Sequence, residues 1–345
     1  MNGRSSGPLS PATSAGEGLR AMVLPAGGIL ALLLLLAFGR PPSDSLFWRT
    51  VYDLGHVPLF GLIALLMLRI IRRGLAPEAG LWTQLVLALL ATAVLSLVTE
   101  LAQIGQAGRD ASVGDAVNNL TGAVCFLAIA AALNPAAWET AEEAGPLASR
   151  LVFLGAVLAL AIAFAPLASV AWSYGMRSAR LPVIAELGSS WQAPLTAAGS
   201  VLVQRVPAPP GWTGMQGEEV ARVRFLDTPW PGVTVREPWP DWTGYSQFRF
   251  RVWSDLENPV QLNLRVDDGT RTRAWRDRYD GSVIVMPGAN EFTIPLDTIR
   301  SGPRNRQMDM SRISQFFLFT SRPEHPFELY FSDVWLDSPW EGITE

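Results

Sequence analysis

The chain has no lysine, and all 27 of its basic side chains are arginine, with two histidines besides. Arginine-only usage reads as codon bias and carries no structural information. Against 31 acidic residues it leaves a net charge of −4, with no basic stripe suited to nucleic acid. The single cysteine, Cys125, excludes an internal disulfide. Any extracytoplasmic domain must therefore fold by core packing alone, which its size permits. No nucleophile motif, metal-ligand cluster, phosphate-binding glycine loop or internal repeat is found, so neither metal nor cofactor is expected.

Long apolar runs crowd the first half. After a Gly-, Ser- and Pro-rich stretch, read as a disordered cytoplasmic tail over 1–20, they fall at about 21–39, 54–71, 81–104, 113–134 and 151–171. Each is long enough to cross about 30 Å of hydrocarbon. Ala37-Phe38-Gly39 resembles a signal-peptide cleavage site, but the spanning segments that follow favour an uncleaved first crossing. Arg4, Arg20, Arg69, Arg72, Arg73 and Arg150 all become cytoplasmic if the N-terminus is inside. Trp48 and Trp172 then mark the outer interface, and Trp82 and Trp138 the inner one. The expected fold is a five-helix transmembrane bundle over 21–172, a linker at 173–181 and an outward all-β domain at 182–345. The expected location is a bacterial cytoplasmic membrane.

Polar residues that lipid would exclude recur near the outer ends of these runs. Asp53 and His56 share a helix face, as do Glu100 and Gln103. Pro58 predicts that the second helix starts or bends there, with Asp53 as a possible cap. Glu100 lies near a helix C-terminus, where the macrodipole disfavours a carboxylate, so it needs a partner or a proton. Arg109, in the loop with Asp110, is the expected partner. Ser112-x-x-Asp115 reads as a capping box. Asn119 and Gly122 continue the stripe deeper, where they suit interhelical hydrogen bonding and close approach. Intramembrane ionisable groups are functional-site candidates by default.

Asp-x-x-His, Glu-x-x-Gln and Gly-Arg-x-x-x-x-x-Asp-x-x-x-Asn-x-x-Gly, spread over four apolar helices, resemble the VanZ-like membrane family over about residues 25–135. The matching positions are Asp53, His56, Glu100, Gln103, Arg109, Asp115, Asn119 and Gly122. The resemblance implies a cell-envelope context, with a link to tolerance of glycopeptide antibiotics, and no defined reaction. Leu54 and Val57 depart from the Lys and aromatic residue that the family often has in its first motif.

Beyond residue 182 the period changes to two. Ser246–Val252 and Gln261–Val266 alternate polar and apolar, and further strands are expected at 313–320 and 327–336. Asp268-Gly269, Asp280-Gly281 and Pro287-Gly288-Ala289-Asn290 read as turns. The pattern predicts a β-sandwich. Asp241-Trp242-Thr243-Gly244-Tyr245 and the closing Leu329–Leu336 resemble jelly-roll domains of the carbohydrate-binding, galactose-binding-like kind. Trp253 and Trp335, inside strands, are expected in the core. Trp230, Trp239, Trp242 and Trp275 adjoin turns and are the candidate ligand-binding rings. Asp267-Asp268-Gly269 is a weak calcium candidate and more simply a hairpin turn.

Three functions compete. The first is a binding or scaffold protein whose sandwich recognises envelope glycan or a lipid-linked saccharide. The second is an enzyme at the outer leaflet, using His56, Glu100 and Asp115 for acid–base work and Arg109 for a phosphate. The third is a proton-coupled transporter, disfavoured by the lack of an inverted repeat. A cavity lined by Glu100, Arg109 and Asp115 would favour chemistry, and a closed salt-bridge network would favour scaffolding.

Overall fold

The computed structural model describes residues 11–103, 112–139, 144–270 and 276–338. The chain divides into two compact units, Met1–Ala168 and Ser169–Glu345. Up to Ala179 the described residues form seven helical elements rather than five. Five are α-helices: α1 (Pro11–Phe38), α2 (Leu46–Ile70), α3 (Leu81–Gln103), α4 (Val113–Ala132) and α5 (Gly145–Ala179). A π-helical turn at Ile71–Leu75 and a 3-10 turn at Pro135–Ala137 make up the rest. Among the described residues four helices are long and apolar enough to cross a membrane, starting at Leu46, Leu81, Val113 and Gly145. Met22–Phe38 is a shorter apolar helix.

The bounds of α3 and α4 follow the apolar runs closely. The others differ for local reasons. α1 begins at Pro11, inside the stretch expected to be disordered. α2 begins eight residues ahead of the apolar run (54 − 46), because Ser45 caps it by accepting from the Trp48 amide at 3.4 Å. Asp53 is therefore inside the helix and is no cap. Pro58 neither starts nor ends α2. α5 runs on to Ala179, so most of the expected linker at 173–181 is helix.

The second unit is an antiparallel β-sandwich. The first sheet is ordered β3 (Val201–Pro207), β4 (Glu219–Phe225), β11 (Phe327–Asp337), β6 (Gln247–Ser254) and β9 (Gly288–Pro295). β1 (Val183–Glu186) also pairs with β11. The second sheet is ordered β2 (Thr196–Gly199), β5 (Gly232–Arg236), β10 (Ile313–Phe319), β7 (Val260–Asp268) and β8 (Tyr279–Val285). A short helix, α6 (Leu296–Arg300), follows β9. Inward positions of the two sheets meet in one core, including Phe248, Phe250, Leu262, Leu264, Phe316 and Phe331. Strict alternation in β6 puts Phe248, Phe250 and Val252 inside and Arg249, Arg251 and Trp253 outside.

Two expected turns are not turns. Asp280-Gly281 lies within β8, where Asp280 pairs with Arg265 across the ladder at 3.2 Å. Asp268-Gly269 opens a long connection from β7 to β8 rather than a two-residue hairpin. The third signal is a turn: Met286-Pro287 joins β8 in one sheet to β9 in the other, and Gly288 takes φ 85°.

Candidate functional site

The helical site starts from a missing side chain. A Cβ on Gly122 of α4 would stand 1.9 Å from the Val57 carbonyl oxygen of α2. Gly61 of α2 is likewise filled by the Phe126 ring, at 2.5 Å. These two glycines let α2 and α4 approach closely. The approach brings His56 Nδ1 within 2.9 Å of Asn119 Oδ1. Asn119 Nδ2 donates to Ser96 Oγ of α3 at 2.8 Å. One string of polar groups thus ties α2, α4 and α3 together. Asn118 Nδ2 donates to the Asp53 carbonyl at 3.0 Å, beside the carbonyl of Leu54, whose α-helical donor would be the amide that Pro58 lacks.

Glu100 is 7% exposed. Its Oε2 accepts from the Ser112 amide at 3.2 Å, and its Oε1 has no partner among the described residues. Ser112 Oγ in turn accepts from the amides of Gly114 at 3.1 Å and Asp115 at 3.4 Å. The N-terminus of α4 is therefore capped as expected on one side. The reciprocal carboxyl comes from Glu100 on α3, not from Asp115. Asp115 lies within electrostatic reach of Glu100, His56 and Asp53. Arg109 and Asp110 lie outside the described residues, as does the Gln103 side chain.

Glu100 lines an open groove of about 410 Å³ between α3 and α4. Thr92, Ser96 and Asn119 also line it, together with the exposed apolar side chains of Leu97, Leu101, Val113 and Leu120. Asp115 is not part of the lining. Sequence reasoning passed over Thr92 and Ser96. They stand eight and four residues before Glu100, a helical stripe that was available to be read.

On the sandwich the candidate tryptophans separate. Trp242 is fully buried, stacked on Phe248 at 5.5 Å, with Nε1 donating to the Trp239 carbonyl at 2.7 Å. It is a core residue, and its assignment as a surface ring is corrected. Its amide donates to the Met310 carbonyl at 2.7 Å, which draws this turn segment into the interior. Trp239 is half-buried against the same core, with the Arg177 guanidinium 6.0 Å from its ring. Trp275 lies outside the described residues. Trp230 is 57% exposed and meets Phe319 edge-on at 6.0 Å. Phe319 stacks on Phe317 at 4.5 Å, and the Arg265 guanidinium covers both rings at 5.3 and 5.7 Å. Trp335, expected in the core, faces outward on β11 beneath Arg249 and Arg251, at 5.2 and 4.7 Å. Trp253, also expected in the core, is half-buried on the outer face, against Trp212 at 6.2 Å. Strand membership alone did not fix the face.

Asp268 is no free metal ligand. Arg306 reaches it with Nη1 at 2.5 Å and Nη2 at 3.0 Å, and the Asp309 amide donates at 2.9 Å. Burial alone would push this carboxyl up. The hydrogen bonds from Arg306, Thr270 and the Asp309 amide outweigh it and hold the pKa at about 2. Asp267 is occupied by Gln315 at 3.0 Å. Among the described residues no group of three or more His, Cys, Asp or Glu side chains is placed to hold a metal ion.

No family model matches the chain, and no curated protein matches it. Solved structures similar to it include a family 11 carbohydrate-binding module from Clostridium thermocellum, in complex with a β-1,3-1,4-mixed-linked tetrasaccharide. That pair shares 13% identity and a TM-score of 0.33, covering 41% of this chain and 87% of the module. A family 30 carbohydrate-binding module from a cellulosomal cellulase of the same organism gives 16% identity and a TM-score of 0.33, covering 43% and 93%.

Proposed function

We infer that the chain is an integral membrane protein of the bacterial cell envelope, VanZ-like in its helical part, whose outward sandwich binds envelope glycan or a lipid-linked saccharide. The N-terminus is cytoplasmic, the four long apolar helices and the shorter apolar stretch Met22–Phe38 of α1 make five crossings, and residues 182–345 lie outside. Arginine placement and the apolar outer faces of the helices support this topology. A part in glycopeptide tolerance or envelope polysaccharide handling follows from the VanZ resemblance.

The observation that carries the saccharide reading is Trp230. Among the described residues of the sandwich it is the one exposed tryptophan. It extends a row of aromatic rings, and Arg265 and Asp280 pair beside that row at 3.2 Å. An exposed indole offers a flat apolar face to sugar C–H groups, and the neighbouring polar groups offer hydrogen bonds to hydroxyls. The test is a glycan array probed with the full-length protein in nanodiscs. Binding to at least one envelope-type glycan is expected, with Trp230→Ala weakening it about tenfold, roughly 1.4 kcal/mol. Absence of binding, or unchanged binding by the variant, overturns the reading. Protease added to intact spheroplasts should remove the sandwich, and its protection would overturn the topology.

A further inference from the structure

We propose that the groove between α3 and α4 binds an amphiphile with a single hydrocarbon chain, whose head brings a hydrogen-bond donor, a hydroxyl or an ammonium, to Glu100. The proposal rests on the reading that these helices lie in a bilayer.

The floor of the groove has one unmet demand. Thr92 Oγ1 donates to the Ala88 carbonyl at 2.8 Å. Ser96 Oγ accepts from Asn119, and Asn119 Oδ1 faces His56. Glu100 Oε2 holds the Ser112 amide. Of the polar side-chain atoms that line the groove, Glu100 Oε1 alone is buried without a partner among the described residues. Burying an unsatisfied acceptor costs about 1–3 kcal/mol, so natural folds retain few of them. A donor entering the groove would remove that cost. A deprotonated phosphate or carboxylate head offers only acceptors and does not answer it.

The flanks specify the rest of the ligand. Leu97, Leu101, Val113 and Leu120 are exposed along the opening. In a bilayer they face hydrocarbon, so a chain enters sideways without crossing water. The volume of about 410 Å³ lies within the range of small-molecule sites. A polar end at Glu100 and an apolar remainder describe an amphiphile rather than a soluble metabolite.

The experiment uses the full-length protein in phosphatidylcholine nanodiscs, since the choline head carries no N–H or O–H. The probe is decyl glucoside with a photoreactive diazirine on its chain, and labelled positions are mapped by mass spectrometry. Labelling should concentrate on Leu97, Leu101, Val113 and Leu120. Unlabelled decyl glucoside or decylammonium should compete, and decyl phosphate should not. Competition by the glucoside alone assigns a hydroxyl head, and by decylammonium alone an amine head. Glu100→Leu, which removes the acceptor, should cut labelling about tenfold, the loss of about 1.4 kcal/mol. Leu97→Trp should do the same by filling the groove from its exposed rim, without touching the α4 cap. Labelling spread evenly over α3 and α5, equal competition by decyl phosphate, or full labelling of both variants overturns the proposal while leaving the bilayer reading standing. No labelling on any helix overturns both.

Discussion

In the sandwich, Phe248, Phe250, Phe316 and Phe331 are buried, while Arg249, Arg251 and Glu291 face outward. The helical half differs at its surface and in the polar groups it adds to an apolar interior that includes Phe60 and Ile63. Leu151, Leu154, Leu158 and Ile162 of α5 are exposed, while Gln84, Thr92, Ser96, Glu100 and Asn119 are buried. On the reading that the helices lie in a bilayer, both halves obey the same rule in different solvents. Water drives apolar area inward, at roughly 25 cal/mol per Å². Hydrocarbon supplies no hydrogen bonds, so polar groups turn inward and find one another. The His56–Asn119–Ser96 string is the polar part of a helical interior whose apolar part includes Phe60, Ile63 and Leu68.

The largest expected effect falls on the sandwich core. Trp242→Ala should cost about 3–5 kcal/mol by chemical denaturation, because a large ring in contact with Phe248 leaves a cavity. A loss below about 1 kcal/mol would mean that this ring is not core. The reciprocal test is Leu158→Asp on α5. It should cost about 2.5–3.5 kcal/mol of membrane insertion, read by glycosylation mapping, whereas an exposed leucine on a water-facing helix would tolerate the change. Unaltered insertion would break the comparison between the two halves.

Gly122→Ala should destabilise the helical unit by about 3 kcal/mol, the upper end of ordinary overpacking, since the added methyl meets a backbone carbonyl. Thermal unfolding of the full-length protein in detergent reads this, with the sandwich transition unchanged. The smallest effect is on pH. The Asp268 carboxyl is held at about 2, below its usual value near 3.9, so its contribution is complete above about pH 4. It is lost as the pH falls toward 2, by about 2 kcal/mol in total. Asp268→Asn should remove most of this pH dependence. A wild-type sandwich whose stability stays flat from pH 5 to pH 2 would contradict the pairing with Arg306.

Much of this arrangement was legible in the residues. Apolar runs marked α3 and α4, alternation marked β6 and β7, and short apolar stretches marked β10 and β11. The start of α2 was hidden because Arg49 and Asp53 interrupt its hydropathy, although Ser45 carried the capping signal. β4 was missed, although Arg222–Phe225 within it alternates polar and apolar. Trp242 looked exposed because a turn segment has no parity to tell inside from outside. The Glu100–Ser112 contact joins two helix ends twelve positions apart, and no local rule pairs them. The polar stripe on α4 was readable, and its partner Ser96 was readable only as part of the stripe on α3.

The junction between α5 and the sandwich has a mechanical consequence. Tyr174 donates to Glu237, and Arg177 Nη1 donates to the Glu237 carbonyl at 2.6 Å, both from the last turns of α5. β1, the next strand along the chain, pairs with β11 from Val183↔Trp335 to Glu186↔Asp333. Tension entering through α5 therefore meets these attachments in chain order. It reaches the side-chain latch at Glu237 first, and the backbone ladder of β1 only after that latch lets go. Side chains of α5 thus bear load before the backbone pairing of β1 does.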